Sequence, residues 1–490
     1  MKKVKIIITV LFITALSINA QNITNTLGST GTFTIKSSST NFFTLSQSTG
    51  NAVFLRNVEL GNIFNSTSGT GVITRGGLSF IHNYKPAGSN GQNTFLGLTA
   101  GNFTMNGTGS QSSSNTGIGE GTLFFLTTGY MNSGTGAYSL YHTTTGFENT
   151  STGAFSLESN TTGFSNSAFG SYALNNVITG YENSAFGKSS LQNNTANLNS
   201  GFGAWSLSLN TTGYDNSSFG AFSMRLNTTG NENSAFGESV LYNNTSGSGN
   251  CSFGDNSMRS NTTGSQNCSF GYQSLYNSNT VYNSVLGYQA GFTLTSGAGN
   301  TVVGHQSFYN ATTGAFNIVL GFQSGWNIST GNNNVVIGTQ ATVPNGLGDN
   351  QIRLGNSSIT YAGIQVAWTV TSDRRLKKNI LSSNLGLSFI DKLRPVSYTR
   401  INDESGKTEY GLIAQEVEDA LKQESTENTG MLTITDDGEY QLRYNDLLAP
   451  MIKAIQELKT MNDELKADND ELKKRIEKLE EKNSQFTNNK

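Results

Sequence analysis

The residues of this 490-residue chain best equipped for chemistry are Ser372 and Lys377, set in the run Ser-Asp-Arg-Arg-Leu-Lys-Lys-Asn-Ile. A serine hydroxyl is a poor nucleophile until a base takes its proton, and a lysine serves when burial or neighbouring cations favour its neutral amine. Arg374, Arg375 and Lys378 supply such cations beside Lys377. Taken alone, the spacing describes a basic surface patch as well as it describes a dyad. The sequence does not support an ordinary three-residue hydrolytic triad. His82, His142 and His305 lie far apart, so neither a His-rich metal site nor a cofactor is expected. Glycosidases work with paired carboxylates, but the acids Glu120, Glu148, Glu158, Glu182, Asp215, Glu232, Glu238 and Asp255 are scattered, mainly in turns. Cys251 and Cys268 occupy equivalent positions of a repeat, where stacking puts them about 5 Å apart. Small-residue packing and an axial disulfide are both open to them.

The elements that must position these residues are unusual in composition. The chain has 56 Gly and only 4 Pro, 13% charged residues, 10% aromatics and a net charge of -3. Low charge with 28 Phe and 18 Tyr argues for a packed protein and against a disordered one. Near neutrality gives no electrostatic reason to bind nucleic acid. Lys2, Lys3 and Lys5 followed by the apolar run Ile6 to Leu16 and Ser17-Ile18-Asn19-Ala20 read as a signal peptide over residues 1–20. A retained single anchor is the other reading, but the run is short for a membrane span. The mature chain is expected to be exported, secreted or at the cell surface, with no transmembrane segment. Charge then divides the molecule: 42 of 63 charged residues fall between Ser372 and Lys490 and 18 between Gln21 and Thr371.

The charge-poor part is a repeat. Glycines at 119, 136, 153, 170, 187, 203, 220, 237, 254, 271, 287, 304, 321 and 338 follow one another at intervals of 17 residues, with two intervals of 16. The preceding residue is usually apolar (Phe169, Phe186, Phe202, Leu286), another large apolar residue follows four positions on (Leu140, Leu157, Met224), and most copies continue Asn-Thr-Thr-Gly. Such a unit is too short for a helical hairpin and too rich in Gly and Asn for helix. It predicts one coil of a β-solenoid: two short strands, each turning an apolar residue inward, joined by turns with Gly or Asn at positive φ. Both 16-residue coils lack the glycine of the second turn, having Asn197 and Val281 there, so the deletion falls in the turn. Fourteen coils rising about 4.8 Å each make a rod of roughly 65 Å, and neighbouring coils and other chains must complete its narrow core. The Asn-Thr-Thr triplets match glycosylation sequons but recur in phase as turns. No flat Thr-x-Thr array of an ice-binding face is present.

These repeats resemble the heads of trimeric autotransporter adhesins, which share a Gly-x-x-Ser-Leu-x-x-Asn-Thr-Thr-Gly pattern. That resemblance implies a trimeric left-handed parallel β-roll over about residues 95–340. No membrane-anchor barrel follows, so the anchoring and self-export of that family are not carried over.

The C-terminal part predicts a helix from Leu385 to Leu393, a helical end to Glu409–Leu421, and a hairpin around Asp436-Asp437-Gly438. Heptads follow, with Met451, Leu458, Leu465, Leu472 and Leu479 at d and Leu448, Ile455, Asn462, Asn469 and Ile476 at a. Two Asn at a favour a dimer on their own. The run from Ser372 to about residue 460 resembles the intramolecular chaperone auto-processing domain of phage tailspikes and tail fibres, including endosialidase tailspikes, found also in the myelin regulatory factor. Ser-Asp-x-x-Leu-Lys, Gly-Leu-Ile-Ala-Gln-Glu-Val and Tyr-x-x-Leu match in order. The resemblance implies trimerisation, assistance to a β-fibre as it folds, and self-cleavage between Thr371 and Ser372. Ser372 would be the nucleophile and Lys377 its base, with Asp373 and Gln415 as candidate supports. Both resemblances give a trimer, and we follow them over the heptad Asn residues.

The expected organisation is a signal peptide at 1–20, an N-terminal β-rich region at 21–94 and a mainly β solenoid at 95–340. A connector at 341–371, a small α+β chaperone domain at 372–447, a coiled coil at 448–482 and a disordered tail at 483–490 complete it. The expected function is that of an exported, homotrimeric, fibrous surface or adhesin-like protein with a cell-surface or polysaccharide ligand, whose chaperone domain acts as a peptidase on its own chain alone. The alternative is a phage-type tail fibre or tailspike that binds or degrades polysaccharide, against which the signal peptide speaks.

Overall fold

The computed structural model describes residues 72–401, 404–427 and 429–488, together with three strands nearer the N-terminus. The expected signal peptide lies outside the described residues. Strands β1 (Thr32–Lys36), β2 (Asn41–Ser46) and β3 (Ala52–Phe54) form an antiparallel sheet within a separate unit, residues 1–63.

In the second unit, β4 (Ile73–Arg75) and β5 (Leu78–His82) pair antiparallel with each other and with β6 (Thr94–Leu96). From β6 to β21 (Ile352–Leu354) sixteen three-residue strands stack in parallel, one per coil. Register holds through both short coils: Ser184 pairs with Ser200 and Cys268 with Ser284. The length change is absorbed in the turn, as the sequence indicates. Among the described residues no pairing joins β21 back to β4, so the ladder ends in open edges.

Each coil departs from the expected one in two respects. Only one of its sides is a strand. On the other side, backbone N–H groups bond alternately to the previous and the next coil, as when Tyr138 donates to Glu120 O and Leu140 to Ser156 O. Alternate residues there take positive φ, including Leu140 at 54°, Leu157 at 50° and Met224 at 47°. That conformation costs a non-glycine residue about 1–2 kcal/mol. Here it aims the Leu or Met side chain into the core, where these residues are fully buried. The second correction concerns the strand. Its middle residue points inward (Ala168, Ala185, Val285, Val302), and the Phe before the glycine points outward, because side chains alternate along a strand. Phe169, Phe186, Phe202, Phe219, Phe236, Phe253 and Phe270 form a partly exposed external stack with centroids 4.5–4.7 Å apart.

The glycine closing each strand is required. Gly220 has φ +136° and a Cβ there would stand 2.2 Å from Gly237 O. Asparagines fill much of the remaining interior. Asn233 donates its backbone N–H and Nδ2 to Asn216 Oδ1, both at 3.1 Å, and its Nδ2 also to Gly247 O at 2.9 Å. Its own Oδ1 accepts from the N–H and Nδ2 of Asn250. A second file joins Asn210, Asn227, Asn244 and Asn261 at 2.7–2.8 Å. The sequon asparagines Asn160, Asn210, Asn227 and Asn261 are therefore fully buried, which closes them to glycosylation in the folded chain.

After the solenoid come helix α1 (Leu387–Asp391), hairpin β22 (Val396–Tyr398) and β23 (Glu409–Gly411), helix α2 (Ala414–Gln423), hairpin β24 (Leu432–Ile434) and β25 (Tyr440–Leu442), and helix α3 (Leu448–Asn488). The turn at 436–438 lies where the sequence places it. The β22–β23 pair is missed by the sequence reading, because Arg-Pro before Val396 and a long loop mask a three-residue strand. Phe389, Val417, Ala420, Leu421, Met431 and Leu447 make a compact core. Helix α3 continues past residue 482, where the heptads end, and leaves its d residues Leu458, Leu465, Leu472 and Leu479 about half exposed.

Candidate functional site

Ser372 follows a stretch without regular secondary structure and precedes a single 3-10 turn, Arg374–Leu376. Asp373 caps that turn. Its Oδ1 accepts the Arg375 N–H at 2.8 Å, and the turn closes with Lys377 N–H donating to Arg374 O at 3.1 Å. The reversal swings the Lys377 side chain back over Ser372, and its Nζ donates to Ser372 Oγ at 2.7 Å. Two residues five apart in the sequence thus meet because one turn lies between them.

The carboxylate of Asp373 is committed to Arg375, with Nη2 to Oδ2 at 2.6 Å. That guanidinium holds the Asp373 carboxyl below its usual range, and the carboxylate raises Arg375 in return. Asp373 is hydrogen-bonded to neither Ser372 nor Lys377, so its contribution runs through the turn. It also cancels one of the cations near the lysine. Gln415 lies exposed in the first turn of α2 and makes no hydrogen bond with Ser372 or Lys377 among the described residues.

Ser372 and Lys377 are both exposed. The ammonium donates in this arrangement; to act as a base the amine must lose its proton and accept from the hydroxyl along the same 2.7 Å contact. The two groups thus meet at hydrogen-bond distance with neither side chain covered.

The segment beginning at this serine is similar to a known family. Residues 372–426 match the family model described as chaperone of endosialidase. No curated protein and no solved structure matched the chain. The match starts at Ser372 and runs through α1, the first hairpin and α2, C-terminal to the repeats, as the sequence resemblance indicates. A chaperone-of-endosialidase segment joined to a β-solenoid fits a fibre-like protein of the tailspike kind.

Sequence reasoning missed residues that hold this chaperone segment in place. Tyr444 Oη accepts the Leu412 N–H at 2.9 Å, tying α3's approach to the start of α2. Glu457 on α3 accepts the Leu387 N–H at 2.7 Å, which holds that carboxyl below its usual range. Asp436 donates its N–H to Pro344 O and accepts the Gly346 N–H at 2.7 Å, docking the second hairpin on the last coils of the solenoid. Tyr444 and Asp436 lie in segments the sequence singles out, as a helix entry and a hairpin turn, whereas Glu457 is at neither an a nor a d position of the heptads. Cys251 and Cys268 pair in register on adjacent strands as free thiols, with burial first and the neighbouring Cys268 second pushing the Cys251 thiol up. Among the described residues no helix is long and apolar enough to cross a membrane.

Proposed function

We propose that the chain is an exported, trimeric fibre whose segment 372–447 directs assembly, is held in register by the coiled coil at 448–482, and then cuts the chain between Thr371 and Ser372. The observation that carries this reading is the 2.7 Å contact of Lys377 Nζ with Ser372 Oγ, at the first residue of the matched family segment. In the proposed step Lys377 takes the hydroxyl proton and Ser372 Oγ attacks the Thr371 carbonyl carbon. The Thr371–Ser372 C–N bond breaks, the Ser372 nitrogen takes up the proton, and Thr371 is left as an ester on Oγ. Water hydrolyses the ester, restoring the hydroxyl and releasing Thr371 as a carboxylate. Exposure of both groups in the single chain supports a cut that waits for assembly, since burial by neighbouring copies favours the neutral amine.

Mass spectrometry and N-terminal sequencing of the purified protein test the step. A C-terminal fragment beginning Ser-Asp-Arg-Arg is expected from the wild type, and none from Ser372→Ala or Lys377→Ala, both of which should still trimerise. A folded wild type that stays intact, or variants that still cut at this bond, would refute the dyad.

A further inference from the structure

The stretch just upstream of Ser372 has the pattern of a strand and none of its bonds. Ile364, Val366, Trp368 and Val370 alternate with Gln365, Ala367 and Thr369, the period of a chain with one apolar face. In the single chain those four side chains are 55%, 79%, 75% and 73% exposed. Among the described residues no backbone–backbone hydrogen bond is made between residues 360 and 372. An apolar row and a file of backbone donors and acceptors are thus left open together, and strands bound along its two edges would satisfy both.

Charge indicates the occupant. No charged residue stands between Arg353 and Asp373, although the chain on the far side of Ser372 is densely charged. A segment gathered around a symmetry axis meets its own copies, so any charge it carried would face its like. We infer that residues 364–370 of this chain pair with the same residues of two further copies, forming an intermolecular β-neck between the solenoids and the chaperone segments. The apolar row faces the shared axis, and the half-exposed heptad row of α3 continues the self-association beyond it. This inference rests on the trimer of the proposed function, and the neck ends one residue short of the Thr371–Ser372 bond.

Trp368 is the probe. In the full chain carrying Trp205→Phe and Trp326→Phe it is the single tryptophan, and both replacements keep an aromatic ring in place. Sedimentation should give a trimer in which acrylamide quenches Trp368 severalfold less than in the same chain unfolded in urea. Adding Val366→Asp should restore quenching, because three carboxylates would meet at the axis. A trimer with Trp368 as accessible as in urea would overturn the neck and leave the trimer standing. A monomer with Trp368 shielded would assign the segment to an intrachain site, and a monomer with it open would overturn both readings.

Discussion

Single side chains here act mostly by fixing the path of the backbone, and His82 shows this outside the candidate site. It is buried at the N-terminal end of the solenoid between Phe95 and Phe103, with ring centroids 4.8 and 4.5 Å away. Its Nδ1 accepts the Tyr84 N–H at 3.3 Å, so its Nε2–H donates to Ala100 O at 2.7 Å, and the ring is neutral. Burial pushes its pKa below the ordinary 6.5, outweighing the bond to Ala100. The folded chain therefore binds the proton less readily than the unfolded one. Stability is complete above the ordinary histidine range and declines as pH falls from there toward the lowered folded value. Hydrogen–deuterium exchange over residues 78–103, compared at equal pH between wild type and His82→Gln, should show the wild type losing protection relative to the variant on mild acidification. A difference that does not change with pH would show that His82 stays unprotonated or plays no part in holding this end.

At the scale of the coil, the asparagine file does work the sequence does not announce. In Asn233→Ala the buried Asn250 N–H loses its acceptor while the Gly247 carbonyl keeps Asn244 Nδ2 as a donor, so about 1–3 kcal/mol of stability should go. Chemical denaturation of the two chains measures it, and a loss below 1 kcal/mol would mean water replaces the amide. The repeat period, the parallel stack and the turn that absorbs the short coils were legible, because each is written as a spacing of Gly and large apolar residues. Inside and outside were read less well. A Phe before the glycine in seven successive coils looks like core, yet alternation over three residues turns it outward and puts Ala, Gly or Ser inside those coils. Asn reads as a turn former, and nothing in one copy shows that its amide bonds its own equivalents above and below. Around Ser372 an ordered motif draws attention to the two side chains that the structure joins by a hydrogen bond. The capping role of Asp373 was not legible, since it depends on a single 3-10 turn, and Gln415 was carried by its neighbours in the motif.

For the whole molecule, the order of events follows from where conventional folding information resides. One coil buries a Leu or Met and a small residue and gains little until another coil lies on it, so nucleation pays ordering entropy before any return. The C-terminal segment has a compact core around Phe389 and Leu421 and folds over short sequence distances. It also touches the solenoid where stacking must stop, through Asp436 against Pro344 and Gly346, beside the open edge at Ile352–Leu354. Deleting residues 372–490 removes the nucleus, the heptads and this contact together, and leaves an edge strand with two exposed apolar residues, Ile352 and Leu354. Such an edge recruits other chains faster than distant coils find their register. The truncated chain should therefore collect in the insoluble fraction, or as heterogeneous oligomers on sedimentation, while Ser372→Ala, which keeps every one of these parts, gives soluble trimer at the wild-type yield. Equal yields of soluble trimer from the truncated and intact chains would show that the coils stack unaided and that the C-terminal segment does not act as their chaperone.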